Sequence, residues 1–154
     1  MKETELAWLA GIMEGEGTFA IYHQKTGDGP KGQLRGSISL TNTDPFLINK
    51  CFDLFKDMGI ELYMHSYDNK KGSTRTVYDL QTSKHTYVKI VCETLLPYLI
   101  GEKNAKAKML LRFVNGRITK GKGPYDEDDW KQFKAFRSPE TTRETLTSED
   151  IVQL

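Results

Sequence analysis

Apolar residues change their period early in the chain, and the change marks the first element boundary. From about Thr4 to Glu16, Leu6, Leu9, Ile12 and Met13 fall on one side of a cylinder turning ~100° per residue, the spacing of an amphipathic helix. After Gly17 the period drops to two. Phe19, Ile21 and His23 alternate with Thr18, Ala20, Tyr22 and Gln24, which predicts a strand with one buried face. Lys25 to Gly32 holds three glycines and a proline and predicts a long hairpin loop. A second strand, Leu34 to Asn42, sets Leu34, Gly36, Ile38 and Leu40 against Arg35, Ser37, Ser39 and Thr41.

Thr43-Asp44-Pro45 joins a capping side chain to a proline that opens a helix. That helix is expected to bury Leu47, Cys51, Leu54, Phe55 and Met58 and to stop at Gly59. Strand three, roughly Glu61 to Tyr67, places Tyr63, His65 and Tyr67 opposite Leu62 and Met64. After a turn at Asp68 to Gly72, strand four (Thr74 to Thr82) sets Arg75, Val77, Asp79 and Gln81 opposite Tyr78 and Leu80. Ser83 is the expected cap of a helix reaching Leu96 and stopped by Pro97. Further helices are predicted from about Glu102 to Asn115, ending at Gly116, and from Asp126 to Phe136. The order α-β-β-α-β-β-α, without internal repeat, places the chain in the α+β class, with helices on one side of an antiparallel sheet.

Length and composition narrow this only a little. The 154 residues suit one domain, 1–154, and two cysteines among apolar neighbours, Cys51 and Cys92, read as reduced core residues. With no apolar run of membrane length and no leader pattern at Met1 to Glu5, a soluble intracellular protein is expected, with no membrane partner. A net charge of +1 is a weak footprint for a nucleic-acid binder. The distribution says more than the sum. Between Gly101 and Lys122 there are seven basic residues (Lys103, Lys106, Lys108, Arg112, Arg117, Lys120, Lys122) against the single acid Glu102, while acids gather at Asp126 to Asp129.

Two features carry candidate chemistry. The first is the strand face rich in hydroxyl, amide and ring side chains, a candidate reading surface: Tyr22, Gln24, Arg35, Ser37, Ser39, Thr41, Tyr63, His65, Tyr67, Arg75 and Asp79. The second is the opening helix. Ala7, Gly11 and Gly15 recur every four residues beside its apolar stripe. Glycine in a helix costs about 1 kcal/mol relative to alanine, so a stripe of it points to a backbone in close approach. A second copy of the same helix fits. Two such helices in contact bring two Glu16 carboxylates together at one end. Like charges that close call for a cation between them, and Mg²⁺ is the ordinary one. The three histidines show no metal-ligand spacing.

Leu9-Ala10-Gly11-Ile12-Met13-Glu14-Gly15-Glu16-Gly17 closely resembles the signature of the LAGLIDADG homing endonucleases. The element order, and a Pro139 to Leu146 stretch like that of short family members, extend the resemblance over most of the chain. It implies a saddle-shaped sheet, a homodimer joined through Ala7, Gly11, Glu14 and Gly15, and a double-stranded DNA partner. It further implies that Glu14 is structural and that Glu16 binds divalent metal together with the Gly15 carbonyl. Mg²⁺ is the expected ion, with Mn²⁺ or Ca²⁺ able to substitute for binding. Asn42 maps to a solvent-positioning amide and Lys103 to the basic residue near the metal, with Lys106 as the alternative. The implied activity is metal-dependent cleavage of both strands of a long, near-palindromic target. An intron RNA maturase or DNA-binding regulator is the alternative on this scaffold, marked by loss of the last acid. Glu16 keeps it.

Overall fold

The computed structural model describes residues 1–25, 32–69 and 75–147. Its elements are α1 (Glu3–Glu16), β1 (Gly17–Gln24), β2 (Gln33–Asn42), α2 (Pro45–Asp57), β3 (Tyr63–Asp68) and β4 (Thr76–Thr82), then α3 (His85–Leu95), α4 (Glu102–Lys120), α5 (Glu127–Phe136) and α6 (Pro139–Thr147). The strands form one antiparallel sheet in the order β1-β2-β4-β3. Most of the predicted loop, 26–31, and of the predicted turn, 70–74, lies outside the described residues.

The period-two pattern holds on β1 and β2 and at Leu80 of β4, but not on β3, an edge strand where Met64 is exposed and His65 half-buried. Phe19 and Ile21 of β1, Leu34, Ile38 and Leu40 of β2 and Leu80 of β4 are buried, while Thr18, Tyr22, Thr41 and Gln81 of the alternate set are exposed. Helical residues close the core on the buried side: Leu9 and Met13 of α1, Leu54 and Phe55 of α2, Val88 of α3, Leu110 and Phe113 of α4. Each such side chain contributes about 1.5–3 kcal/mol on burial. Among the described residues no helix covers the opposite sheet face, so the polar set stays open there. This is the α+β fold expected.

Several boundaries differ from the sequence reading, each for a physical reason. On α1 the deep positions are Leu9, Ala10 and Met13, and Leu6 and Ile12 are only half-buried. On α2 Cys51, Leu54 and Phe55 are buried as expected, but Ile48 completes the buried stripe, three residues before Cys51, and Leu47 and Met58 are only half-buried; Asp44 does cap the helix, accepting from Phe46 and Leu47 N–H. Ser83 does not cap α3. Lys84 occupies the cap without a side-chain bond, and Thr82 Oγ1 accepts the Lys84 N–H instead. Pro97 does not halt the chain at once but sits inside a 3-10 turn, Leu96–Tyr98, that follows α3.

The largest correction concerns α4, which runs through Gly116 to Lys120. Arg117 explains it. Its guanidinium is buried, donates to Asp129 Oδ2 at 2.9 Å and to the carbonyl of Gly123 at 2.6 Å, and lies 4.3 Å from the Tyr125 ring centre. That anchor holds the extra turn in place, and Gly121 (φ +69°) ends the helix in the left-handed conformation that glycine adopts cheaply. The acidic run at 126–129 is the other half of the anchor. Asp126 and Asp129 form a capping box at the start of α5, and Lys120 reaches both at 2.6 and 3.0 Å. Lys120 and the backbone of Asp129 hold the Asp126 carboxyl down to about 2.

Candidate functional site

The small-residue stripe on α1 is open. Ala7, Gly11 and Gly15 are exposed, and among the described residues outside the helix's own turns a Cβ built on Gly11 or Gly15 would meet nothing within 4 Å. The glycines are therefore not explained by packing within the chain. Trp8 lies beside the stripe with 41% of its surface exposed.

At the C-terminal end of that stripe α1 meets α4. Glu14 Oε1 accepts the backbone N–H of Gly101, the residue that caps α4, so the carboxylate clamps the start of one helix to the end of another. A side chain at Gly101 would displace the Glu14 carboxylate, since its Cβ would lie 2.6 Å from Oε1 at the tip of that flexible side chain. The sequence reading placed Glu14 in the contact between copies; the backbone donor it meets in the structure belongs to its own chain. Its second oxygen, Oε2, is buried without a partner among the described residues. Gly101 was missed as a site residue, although a glycine immediately before a basic helix was the available signal.

Below this clamp lies a cleft of about 360 Å³ lined by Glu14, Gly17, Thr18, Phe19, Glu102, Lys103 and Lys106. Glu16, exposed at the last position of α1, lies between two lining residues, Glu14 and Gly17, without lining the cleft itself. The two lysines differ sharply. Lys106 Nζ donates to the carbonyl of Phe136, at the end of α5, and sits 4.2 Å from that residue's ring centre. Burial pushes its pKa down, partly offset by Glu102. Lys103 is half-buried in the cleft and has no hydrogen-bond or ion-pair partner among the described residues. Asn42 ends β2 two residues beyond Leu40, the partner of Gly17 in the β1–β2 ladder. Its Oδ1 accepts the Asp44 N–H at 2.8 Å, so its acceptor is used in the turn before α2 and its NH₂ group remains.

Among the described residues no three His, Cys, Asp or Glu side chains gather closely enough to hold a metal alone. The donors at the end of α1 nevertheless suit a hard divalent cation. Glu16 offers an exposed carboxylate, and Gly15 lies in the last turn, where carbonyls lack intrahelical donors.

The open sheet face gathers most of the predicted reading residues in register. Tyr22 opposes Arg35, Thr41 opposes Asp79, and Asp79 opposes His65. Thr41 Oγ1 donates to Asp79 Oδ1 at 3.0 Å, and His65 Nδ1 lies 3.6 Å from Asp79 Oδ2. The His65 ring is flanked by Tyr63 and Tyr67, with centroids 5.4 and 6.1 Å away. Ser37 and Ser39 are half-buried on the same face, Gln24 ends β1, and Arg75 precedes β4. Gln81, opposite both Ser39 and Tyr63, belongs to this surface and is a further candidate. The basic run of α4 contributes less than its count suggested, because Arg117 is buried, Lys120 is paired and Lys106 is tied down.

A family model described as LAGLIDADG-like domain matches residues 3–95, from α1 to the end of α3. Comparison with curated protein sequences gives no match. Among solved structures, the chain is similar to the homing endonuclease I-CvuI in complex with its target in the presence of Ca (TM-score 0.64, 20% identity, 97% of this chain and 91% of that one). It is also similar to the archaeal intron-encoded homing endonuclease I-Vdi141I complexed with DNA (TM-score 0.64, 14% identity, 99% and 97%). A third is the group I intron-encoded I-CeuI complexed with DNA (TM-score 0.63, 14% identity, 97% and 69%). At these identities the likeness is one of fold. With the signature on α1 and more than half of its length matched by the family model, the chain belongs to the LAGLIDADG-like domain family.

Proposed function

We propose that this chain is a homodimeric, divalent-metal-dependent endonuclease that cuts both strands of a long, nearly palindromic DNA duplex. The observation that carries this reading is the open Gly11–Gly15 stripe leading straight into an exposed Glu16. Two copies packed along that stripe bring two Glu16 side chains together beneath a surface of eight strands. The DNA-bound states of the solved relatives add support for a duplex as substrate.

In this reading the polar side chains of the open face meet base edges in the major groove, while exposed lysines and arginines contact phosphates. Glu16 and the Gly15 carbonyl hold the cation, Mg²⁺ in the first instance. A cation held there would supply Lewis-acid stabilisation of charge at the scissile phosphate. Lys103, unpaired in the cleft, stabilises the charge that develops on the phosphate as the bond breaks. The Asn42 NH₂ group is available to orient water at the neighbouring strand end.

Replacing Glu16 by Gln tests the assignment, since it keeps the shape and removes the charge. Cleavage should be lost while duplex binding in a gel-shift assay is retained. A variant that cuts at near the parent rate contradicts the assignment.

A further inference from the structure

Asp79 is the one acidic side chain among the described residues that face outward from the four strands, and it sits in the middle of the open face. Phosphates repel a carboxylate, so on a surface that meets DNA it needs an offsetting contact. The neighbours of Asp79 define what that contact is. Thr41 has a single hydroxyl proton and gives it to Asp79 Oδ1 at 3.0 Å, so the hydroxyl has only lone pairs left to offer. The carboxylate itself can only accept. Of its roughly four lone-pair positions, Thr41 takes one on Oδ1 and His65 faces Oδ2 at 3.6 Å, which leaves acceptor capacity on both oxygens. Tyr63 and Tyr67 flank the imidazole at tilts of 31° and 29°, so the carboxylate is bracketed on two sides by groups that are themselves supported. The Thr41–Asp79 pair is thus a preset acceptor.

We propose that Asp79, together with Thr41, selects a base that presents an amino group in the major groove, cytosine foremost, at one position in each half of the DNA site. The proposal rests on the nuclease reading above. Only cytosine N4 and adenine N6 offer donors in that groove, and a carboxylate pairs with cytosine N4. Guanine O6 and N7 and thymine O4 would face the pair lone pair to lone pair.

The test is cleavage of a randomised duplex library with Mg²⁺, the cut products being sequenced for the parent chain, Asp79→Asn and Thr41→Val. In the parent, one symmetric pair of positions should favour cytosine over guanine or thymine by roughly tenfold. Asp79→Asn adds a donor, and Asn pairs with adenine N6 and N7, so the preference at that pair alone should move to adenine. Thr41→Val keeps the shape without the hydroxyl and should weaken the same pair; it decides the matter if Asp79→Asn does not fold. Base profiles unchanged in the folded variants, or a parent preference for guanine or thymine at the affected pair, overturn the proposal and leave the nuclease reading standing. A parent chain that enriches no duplex overturns both.

Discussion

Lys103 and Lys106 stand one turn apart on α4, and the sequence offers no way to choose between them. The choice depends on Phe136, thirty positions further on, whose carbonyl and ring occupy Lys106. Such long-range pairing leaves no local trace, which is why this part of the site was not legible in advance. The same holds for the Glu14–Gly101 clamp, whose two ends lie 87 residues apart. The placement of Glu16 at the exposed end of α1 was legible, because the change of apolar period after Gly17 marks where the helix stops. The two lysines should separate cleanly on substitution. Lys103→Ala is expected to leave the unfolding temperature nearly unchanged and to slow single-turnover cleavage by roughly 10²–10³-fold, the scale of losing one charge-stabilising donor. Lys106→Ala should instead cost about 1–2 kcal/mol of stability in urea unfolding, with a smaller effect on the chemical step.

Helices show where pattern reading succeeds and where it stops. Strand parity gave the open face correctly because a buried side of a sheet imposes a strict period of two. Gly116 was read as a helix end because glycine usually is one, but the buried Arg117 beside it outweighs that local preference. Asp129, wholly buried opposite it, makes the ion pair a structural clasp. Arg117→Ala is therefore expected to destabilise the chain by about 1.5–3 kcal/mol in urea unfolding, because it removes the buried partner of a carboxylate that then keeps only Lys120 and the Asp126 N–H. The α1 stripe behaves in the opposite way. At Gly11 a Cβ meets no other element within 4 Å among the described residues, and leucine improves helix propensity, so the fold should be preserved. Sedimentation of Gly11→Leu should nevertheless show a monomer where the parent is a dimer, and cleavage should be lost. A Gly11→Leu dimer with full activity would place the contact between copies elsewhere.

At the scale of the whole molecule, the architecture follows from few sequence facts. Two period-two pairs separated by amphipathic helices leave a sheet covered on one side only, and the uncovered side is polar. The sequence did not reveal how the last third wraps around α4, because α6 and the Arg117 clasp depend on contacts between separate elements that leave no local pattern. The central claim is that two copies, joined along the notched face of α1, form one symmetric DNA-cutting unit. Sequencing the products cut from a randomised duplex library in the presence of Mg²⁺ tests it most directly. The account predicts a single enriched site with two-fold symmetric base preferences, cut once on each strand across its centre to leave 3′ overhangs. An asymmetric site, cutting of one strand only, or no enrichment at all would contradict it.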